Sequence, residues 1–343
     1  MEIGIIGLPQ SGKSTLFQIM TGVNSREIFG EQFVKGVAKV PDARFDKLAL
    51  IFKPKKVSPA TVPFTDISIS GKDAWDKARQ GLATADGLIH VIEAFDSSDA
   101  GELVKRYRQL SDELIFADLI VVENRLERLS KIGNQSKRPE DLIHSKILPK
   151  IKETLENGRP LREMEFNPEE KNALRGFTFW TIKPELVVLN TAEGSADAAE
   201  EFKKLANISA PVVLICCQIE LEISALPKDE RGEFLSSLGI ETPAFEKVIQ
   251  TAFSLIGQMS YFTVGEDEVK AWVVPIGSTA PKAAAAIHKD FERGFIKAEV
   301  VSYKDFIDCG ETLVNAKSKG KQRLEGKEYI VADGDIINFR FNV

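Results

Sequence analysis

The chain has 343 residues, of which 43% are hydrophobic and 28% charged, with a formal net charge of −6. That composition excludes bulk disorder and collagen-like structure, and a length of this order is enough for two or three domains. No stretch reaches the ~20 apolar residues of a bilayer span, and the acidic balance leaves any nucleic-acid partner to a local basic patch.

The start, Met1-Glu2-Ile3-Gly4-Ile5-Ile6-Gly7, has an early acid and no basic segment or cleavage site, so no secretory signal is expected. Residues 2–6 read as a short apolar strand running into a Gly-rich turn, and 14–21 as a helix. Residues 22–45 read as an irregular stretch with short strands, and 60–67 as a second strand with Asp66 near its end. Residues 73–85 are amphipathic and helical. Three near-continuous apolar runs, at 87–92, 185–190 and 211–216, have the character of buried parallel strands. Strands alternating with helices predict a doubly wound α/β sheet.

Between the first and second of these runs, Leu119, Val122, Leu126 and Leu129 step by three and four, as Leu148, Ile151 and Leu155 do. The polar linker 133–139 joins the two stretches, which predicts an inserted antiparallel helical hairpin with a coiled-coil seam. Residues 119–172 carry eleven Lys/Arg and ten Asp/Glu, a nearly neutral arm. Farther on, 270–276 and 296–303 read as strands and 281–291 as an Ala-rich helix. Residues 329–331 and 336–341 flank Ala332-Asp333-Gly334-Asp335 as a hairpin would. This makes a β-rich C-terminal module of β-grasp type.

Cys216, Cys217 and Cys309 cannot all pair, and no Cys/His cluster suits zinc, so buried, reduced thiols in a cytoplasmic protein are expected. His90 sits inside an apolar strand and reads as a core histidine; His144 and His288 read as surface residues.

The motif that carries chemistry is Gly7-Leu8-Pro9-Gln10-Ser11-Gly12-Lys13-Ser14-Thr15, which fits G-x-x-x-x-G-K-[ST]. Its fixed positions would match by chance roughly once in a hundred chains of this length, and here the match lies between a strand and a helix. The glycines let successive N–H groups face one concavity, so the phosphate cradle takes in Gly7, Gln10, Ser11, Gly12, Lys13, Ser14 and Thr15. Lys13 supplies a cation to the β/γ-phosphates and is the catalytic candidate, and the Ser14 hydroxyl is a Mg²⁺ ligand. Asp66 is the candidate second Mg²⁺ ligand, with helix capping as its alternative role. Guanine readers place an Asp within Asn-Lys-x-Asp; no such tetrad follows a strand here. After 187–189 comes Asn190-Thr191-Ala192-Glu193, and Glu193 is one methylene too long for that role. Asn190 remains able to brace the P-loop.

With these residues assembled, the chain resembles the YchF / Obg-like ATPase family over nearly its whole length. The resemblance rests on the P-loop, on Lys53-Pro54-Lys55-Lys56-Val57-Ser58-Pro59 leading to Asp66, and on Ala117-Asp118-Leu119 with 123–129. It also rests on Asn190-Thr191-Ala192-Glu193 and on the tail Asp290-Phe291-Glu292-Arg293-Gly294-Phe295-Ile296, 323–327 and Asp333-Gly334-Asp335-Ile336. It implies a G domain (1–118 and 173–265), a helical arm (119–172) and a TGS domain (266–343). It further implies preference for ATP over GTP with Mg²⁺, and nucleotide contacts from Asn190, Thr191 and Glu193, Thr191 standing where the family reads adenine with main-chain atoms. Association with ribosomes or rRNA through arm and TGS domain is implied too, with neither a membrane nor DNA as partner. From Asp267 onward the TGS region holds twelve basic and twelve acidic residues, and only Lys317, Lys319, Lys321 and Arg323 cluster.

Three departures concern hydrolysis. Gly30 stands where the family has its switch I threonine. The Asp-x-x-Gly of switch II reads Asp66-Ile67-Ser68-Ile69 with the next glycine late, at Gly71. The family's histidine-bearing loop is shortened at Ser70-Gly71-Lys72. Since phosphoryl transfer rests on positioning and charge stabilisation, these losses predict binding with slow turnover. The alternative is a hydrolysis-deficient nucleotide sensor acting through protein partners. A small-molecule kinase is disfavoured, as neither an Arg-bearing lid nor an acceptor pocket is visible.

Overall fold

The computed structural model describes residues 1–28, 33–67, 83–132, 138–193, 198–237, 239 and 242–342. Gly30, residues 68–72, most of the expected helix at 73–85 and most of the linker at 133–139 lie outside the described residues. The chain divides into two compact units, Met1–Gly36 with Pro63–Val248, and Val37–Val62 with Ile249–Val343.

Strand β1 (Ile3–Gly7) is buried along its length and ends at the P-loop. Next come β2 (Phe33–Lys39), β3 (Lys56–Ser58), β4 (Thr61–Ile67), β5 (Gly87–Ala94), β6 (Glu185–Thr191) and β7 (Val212–Ile215). The first sheet has the order β2-β4-β1-β5-β6-β7. From β4 to β7 the neighbours are parallel, with Gly7 beside Val91, Ala94 beside Thr191 and Asn190 beside Ile215. Continuous apolar runs make these strands because both sheet faces are covered. The chain goes from β1 to β4 on one side and to β5 on the other, so a crevice opens at the carboxyl ends around β1.

The helix Ala100–Ser130 is one 31-residue element, begun by the Asp99 carboxylate accepting from the Glu102 N–H. It runs on without a break past residue 119, where the leucine pattern becomes legible. With Pro139–Glu156 it forms the antiparallel hairpin, burying Val122, Leu129, Leu148, Ile151 and Leu155 together, with Leu119 and Leu126 packed against them. Each fully buried aliphatic side chain is worth about 1.5–3 kcal/mol, which is what holds two otherwise charged helices together. His144 differs from its expected surface placement: it is 3% exposed, its Nε2 lies 3.0 Å from the Ala173 carbonyl, and Arg125 approaches its Nδ1. The polar neighbours that satisfy it come from distant residues.

Two buried carboxylates secure the base of the hairpin. Asp118 accepts from the backbone N–H groups of Trp180 and Thr181 and from the Thr181 hydroxyl, at 2.8–3.0 Å. Glu185 meets His90 Nδ1, the Tyr107 hydroxyl and Arg162. Burial pushes its carboxyl up, but Arg162, His90 and Tyr107 hold it well below the usual carboxylate range. His90 is thus a satisfied core residue.

In the second unit, β8 (Gln258–Thr263), β9 (Glu268–Pro275), β10 (Phe295–Ser302), β11 (Arg323–Glu325) and β12 (Asp335–Phe341) join β3 in the order β11-β10-β12-β8-β9-β3. The Ala-rich helix Ala280–Ile287 packs on the sheet among Tyr261, Val274, Val300 and Ile337. The expected hairpin across 332–335 does not form. The turn is there, with Gly334 at φ 84 and Asp335 N–H donating to the Ala332 carbonyl, but residues 329–331 bond to Ser278 and Ala280 instead. The partners of β12 are β10 and β8.

Replacing Asp118 by alanine strands three buried donors. Urea unfolding of Asp118→Ala should show a loss of about 2–5 kcal/mol, against less than about 0.5 kcal/mol for the exposed Glu127→Ala.

Candidate functional site

The P-loop leaves β1 at Gly7 and enters the helix Lys13–Thr21 through Gly12, whose φ of 94° is open to glycine and strained for other residues. Gln10 also takes a positive φ of 69°. The first turn of the helix therefore faces the crevice with its free N–H groups, the arrangement that receives phosphate.

Asn190, at the end of β6, sits against this loop. Its Nδ2 donates to the Ser11 carbonyl at 3.1 Å, and its Oδ1 accepts from the Cys217 N–H at 3.1 Å. One carboxamide so ties the P-loop, β6 and the start of the helix Cys217–Ala225 together. The fit is close enough that a Cβ on Gly12 would collide with the amide.

These segments enclose a cleft of about 780 Å³. It is lined by Gln10, Gly12, Lys13, Ser14 and Thr15 of the P-loop and its helix, and by Phe95, Thr191, Ala192, Glu193, Cys216, Ile219 and Leu221 from beyond the ends of β5, β6 and β7. Seven of the candidate residues, from Gln10 to Glu193, thereby share one cavity with Asn190 itself. Gly7 and Ser11 support the loop from below, and the Ser11 hydroxyl is buried without a partner. Cys216 and Cys217 end a strand that the sequence places near a base pocket, with packing as their first role and backbone contact to a base as the second, whereas Phe95 and residues 218–222 had no residue-specific signal. Cys217 is buried and its thiol pushed up to about 12, by burial first and then by Cys216 and Glu220, so it packs and does not react. A second cavity of about 700 Å³ lies in the other unit, but its Arg44 is already locked between Asp42 and Asp333, so volume alone does not select a site.

Lys13 is half-buried; burial lowers its ammonium pKa, and the field of Asp66 opposes that. Its Nζ reaches the Leu8 carbonyl at 3.4 Å. Asp66, at the end of β4, is 6% exposed. Its Oδ2 accepts from the Ser25 hydroxyl at 2.7 Å, and its Oδ1 is buried with no partner among the described residues. An orphaned buried carboxylate oxygen is what a hard cation would satisfy, so Asp66, with the Ser14 hydroxyl, has the donor chemistry for Mg²⁺. Among the described residues no three His, Cys, Asp or Glu side chains form a metal cluster.

The family model described as "YchF-GTPase_C: Protein of unknown function (DUF933)" matches residues 258–342. The chain is similar to "Ribosome-binding ATPase YchF" of Pasteurella multocida, 40% identical over 367 aligned residues, covering 100% of this chain and 99% of the relative. It is also similar to "Obg-like ATPase 1" of Caenorhabditis elegans, 35% identical over 100% of this chain and 92% of the relative. Among solved structures, that of the Schizosaccharomyces pombe YchF GTPase superposes with a TM-score of 0.83 at 26% identity, covering 99% and 97% of the two chains.

Gly12→Ala should weaken nucleotide binding at least about tenfold in a fluorescence titration, through both the clash and the positive φ. The double variant Gly12→Ala/Asn190→Ala should bind no better than Gly12→Ala, because removing the amide relieves the clash but also deletes the bonds to Ser11 and Cys217 and leaves the backbone strain.

Proposed function

The chain belongs to the YchF / Obg-like ATPase family, and from that premise we propose that it is a Mg²⁺-dependent, ATP-preferring P-loop protein that hydrolyses slowly and works as a switch on ribosomes. The observation that carries this reading is the Asn190 carboxamide joining the phosphate loop to the wall of the base-sized half of the cleft. Phosphates lie against the N–H groups at Gly12 to Thr15, and the Lys13 ammonium neutralises charge that builds on them. Ser14 and Asp66 are the residues that would hold Mg²⁺, which when bound would supply positive charge to offset the same build-up.

Adenine is preferred because, among the described residues that line the cleft, no aspartate stands to accept the two guanine edge donors. Asn190 is committed to Ser11 and Cys217, and Glu193 is exposed and longer. Backbone groups around Thr191 remain to read a base that offers both a donor and an acceptor. Slow hydrolysis follows from Gly30, Asp66-Ile67-Ser68-Ile69 and the short Ser70-Gly71-Lys72 connection, which leave the γ-phosphate and the attacking water with fewer positioned groups. Ribosome binding is carried over from the relatives that bear that name. The helical hairpin and the C-terminal unit, read as a coiled-coil arm and a TGS domain, are the proposed contact surfaces, and a cytoplasmic location goes with them.

Lys13→Ala removes charge-assisted contacts worth about 1.5–3 kcal/mol, so nucleotide affinity should fall roughly 10- to 150-fold. An unchanged affinity would mean that the loop holds no phosphate. Co-sedimentation with ribosomes should depend on ATP in the native protein and lose that dependence in Lys13→Ala. Single-turnover hydrolysis without any partner should be far slower than the ~1–100 s⁻¹ of efficient phosphoryl-transfer enzymes.

A further inference from the structure

The carboxylate of Asp66 is placed by a residue that the P-loop motif does not include. Asp χ2 is a soft, roughly two-fold torsion, so a carboxylate at the end of a strand needs an external bond to fix its plane. In this chain that bond comes from Ser25, forty-one positions earlier, whose hydroxyl donates to Oδ2 at 2.7 Å. The other oxygen, Oδ1, is buried and has no partner among the described residues. A carboxylate held by one oxygen with the second oxygen free is the arrangement of an oriented metal ligand, since outer hydrogen bonds commonly fix the ligands of a metal site.

Ser25 is itself firmly placed. It opens the short 3₁₀ turn Ser25–Glu27, just beyond the helix Lys13–Thr21 that rises from the P-loop. Ile28 N–H donates to the Ser25 carbonyl at 3.3 Å, Glu27 N–H to the Asn24 carbonyl at 3.2 Å, and Asn24 Nδ2 to Glu27 Oε1 at 2.8 Å. Val23 N–H is held by the Thr21 hydroxyl at 3.2 Å. The hydroxyl on Asp66 is thus carried by a run of local bonds that begins at the phosphate-binding helix.

We propose that Ser25 is a positioning residue for Mg²⁺: its hydroxyl sets the Asp66 carboxylate so that Oδ1 faces the metal that accompanies the nucleotide. The proposal rests on the nucleotide-binding reading given above. It separates Ser25 from Ser14, whose hydroxyl would touch the metal itself.

The test is ATP titration of the full chain with Mg²⁺ and again with EDTA, the readout being the ratio of the two affinities. Ser25→Ala should reduce that ratio by about 10- to 100-fold. Ser25→Thr, which keeps the hydroxyl, should restore it to near the native value. A ratio in Ser25→Ala equal to that of the native protein would overturn the proposal, including the case in which both affinities fall together, because that marks a purely structural contact. Failure of Ser25→Thr to restore the ratio would overturn it as well. If the native chain bound ATP in neither condition, the nucleotide reading would fall and this assignment with it. A native Mg²⁺ dependence with an unaffected Ser25→Ala would remove this assignment alone.

Discussion

The side-chain amide of Asn190 is the constraint around which the nucleotide cleft is built. With two hydrogen bonds it fixes the distance between the carbonyl of Ser11 and the N–H of Cys217, two segments far apart in sequence and both at the carboxyl edge of the first sheet. The rest of the cleft follows from the sheet. Parallel strands in the order β4-β1-β5-β6-β7 bring Asp66, the P-loop, Phe95, Thr191 and Cys216 to the same edge. A crevice formed at that reversal of strand order is where doubly wound sheets take their ligands.

The same amide also constrains base choice. One of its two amide hydrogens and one oxygen lone pair are used on the backbone, which leaves a single further donor for a base edge and not the paired acceptor that guanine reading needs, and the next acidic residue, Glu193, is exposed. In the proposed reading the P-loop therefore takes the phosphates, and the base meets the residues beyond β6 and β7 through apolar side chains and main-chain groups. At the metal side, one oxygen of Asp66 is fixed and the other is free. Phosphate, base and metal thus draw on three different strand ends held in one sheet.

Much of this was legible in the sequence for a physical reason. The P-loop is local, so strand, glycine turn and helix follow within fifteen residues, and strands buried on both faces leave unbroken apolar runs that periodicity detects. The hairpin helices were legible where leucines recur, but the segment from Ala100 onward packs on the sheet, and its pattern merges with that of the sheet-covering helices. Long-range pairing was the harder part. The turn at 332–335 has hairpin chemistry, yet its upstream residues bond to Ser278 and Ala280, which local turn signals cannot reveal. His144 looked solvent-facing because its partners, Arg125 and Ala173, stand 19 and 29 positions away. Ser25 carried no signal, since nothing in a lone serine after a helix points to a carboxylate on another strand.

Base preference is the point at which this account is most directly exposed. Calorimetric titration of the full-length chain with ATP and with GTP, both in Mg²⁺, measures it in one experiment. The account predicts clearly tighter binding of ATP, by about tenfold or more, equivalent to about 1.4 kcal/mol. Equal affinities, or tighter binding of GTP, would contradict it, because the cleft would then read guanine without the aspartate that such reading requires.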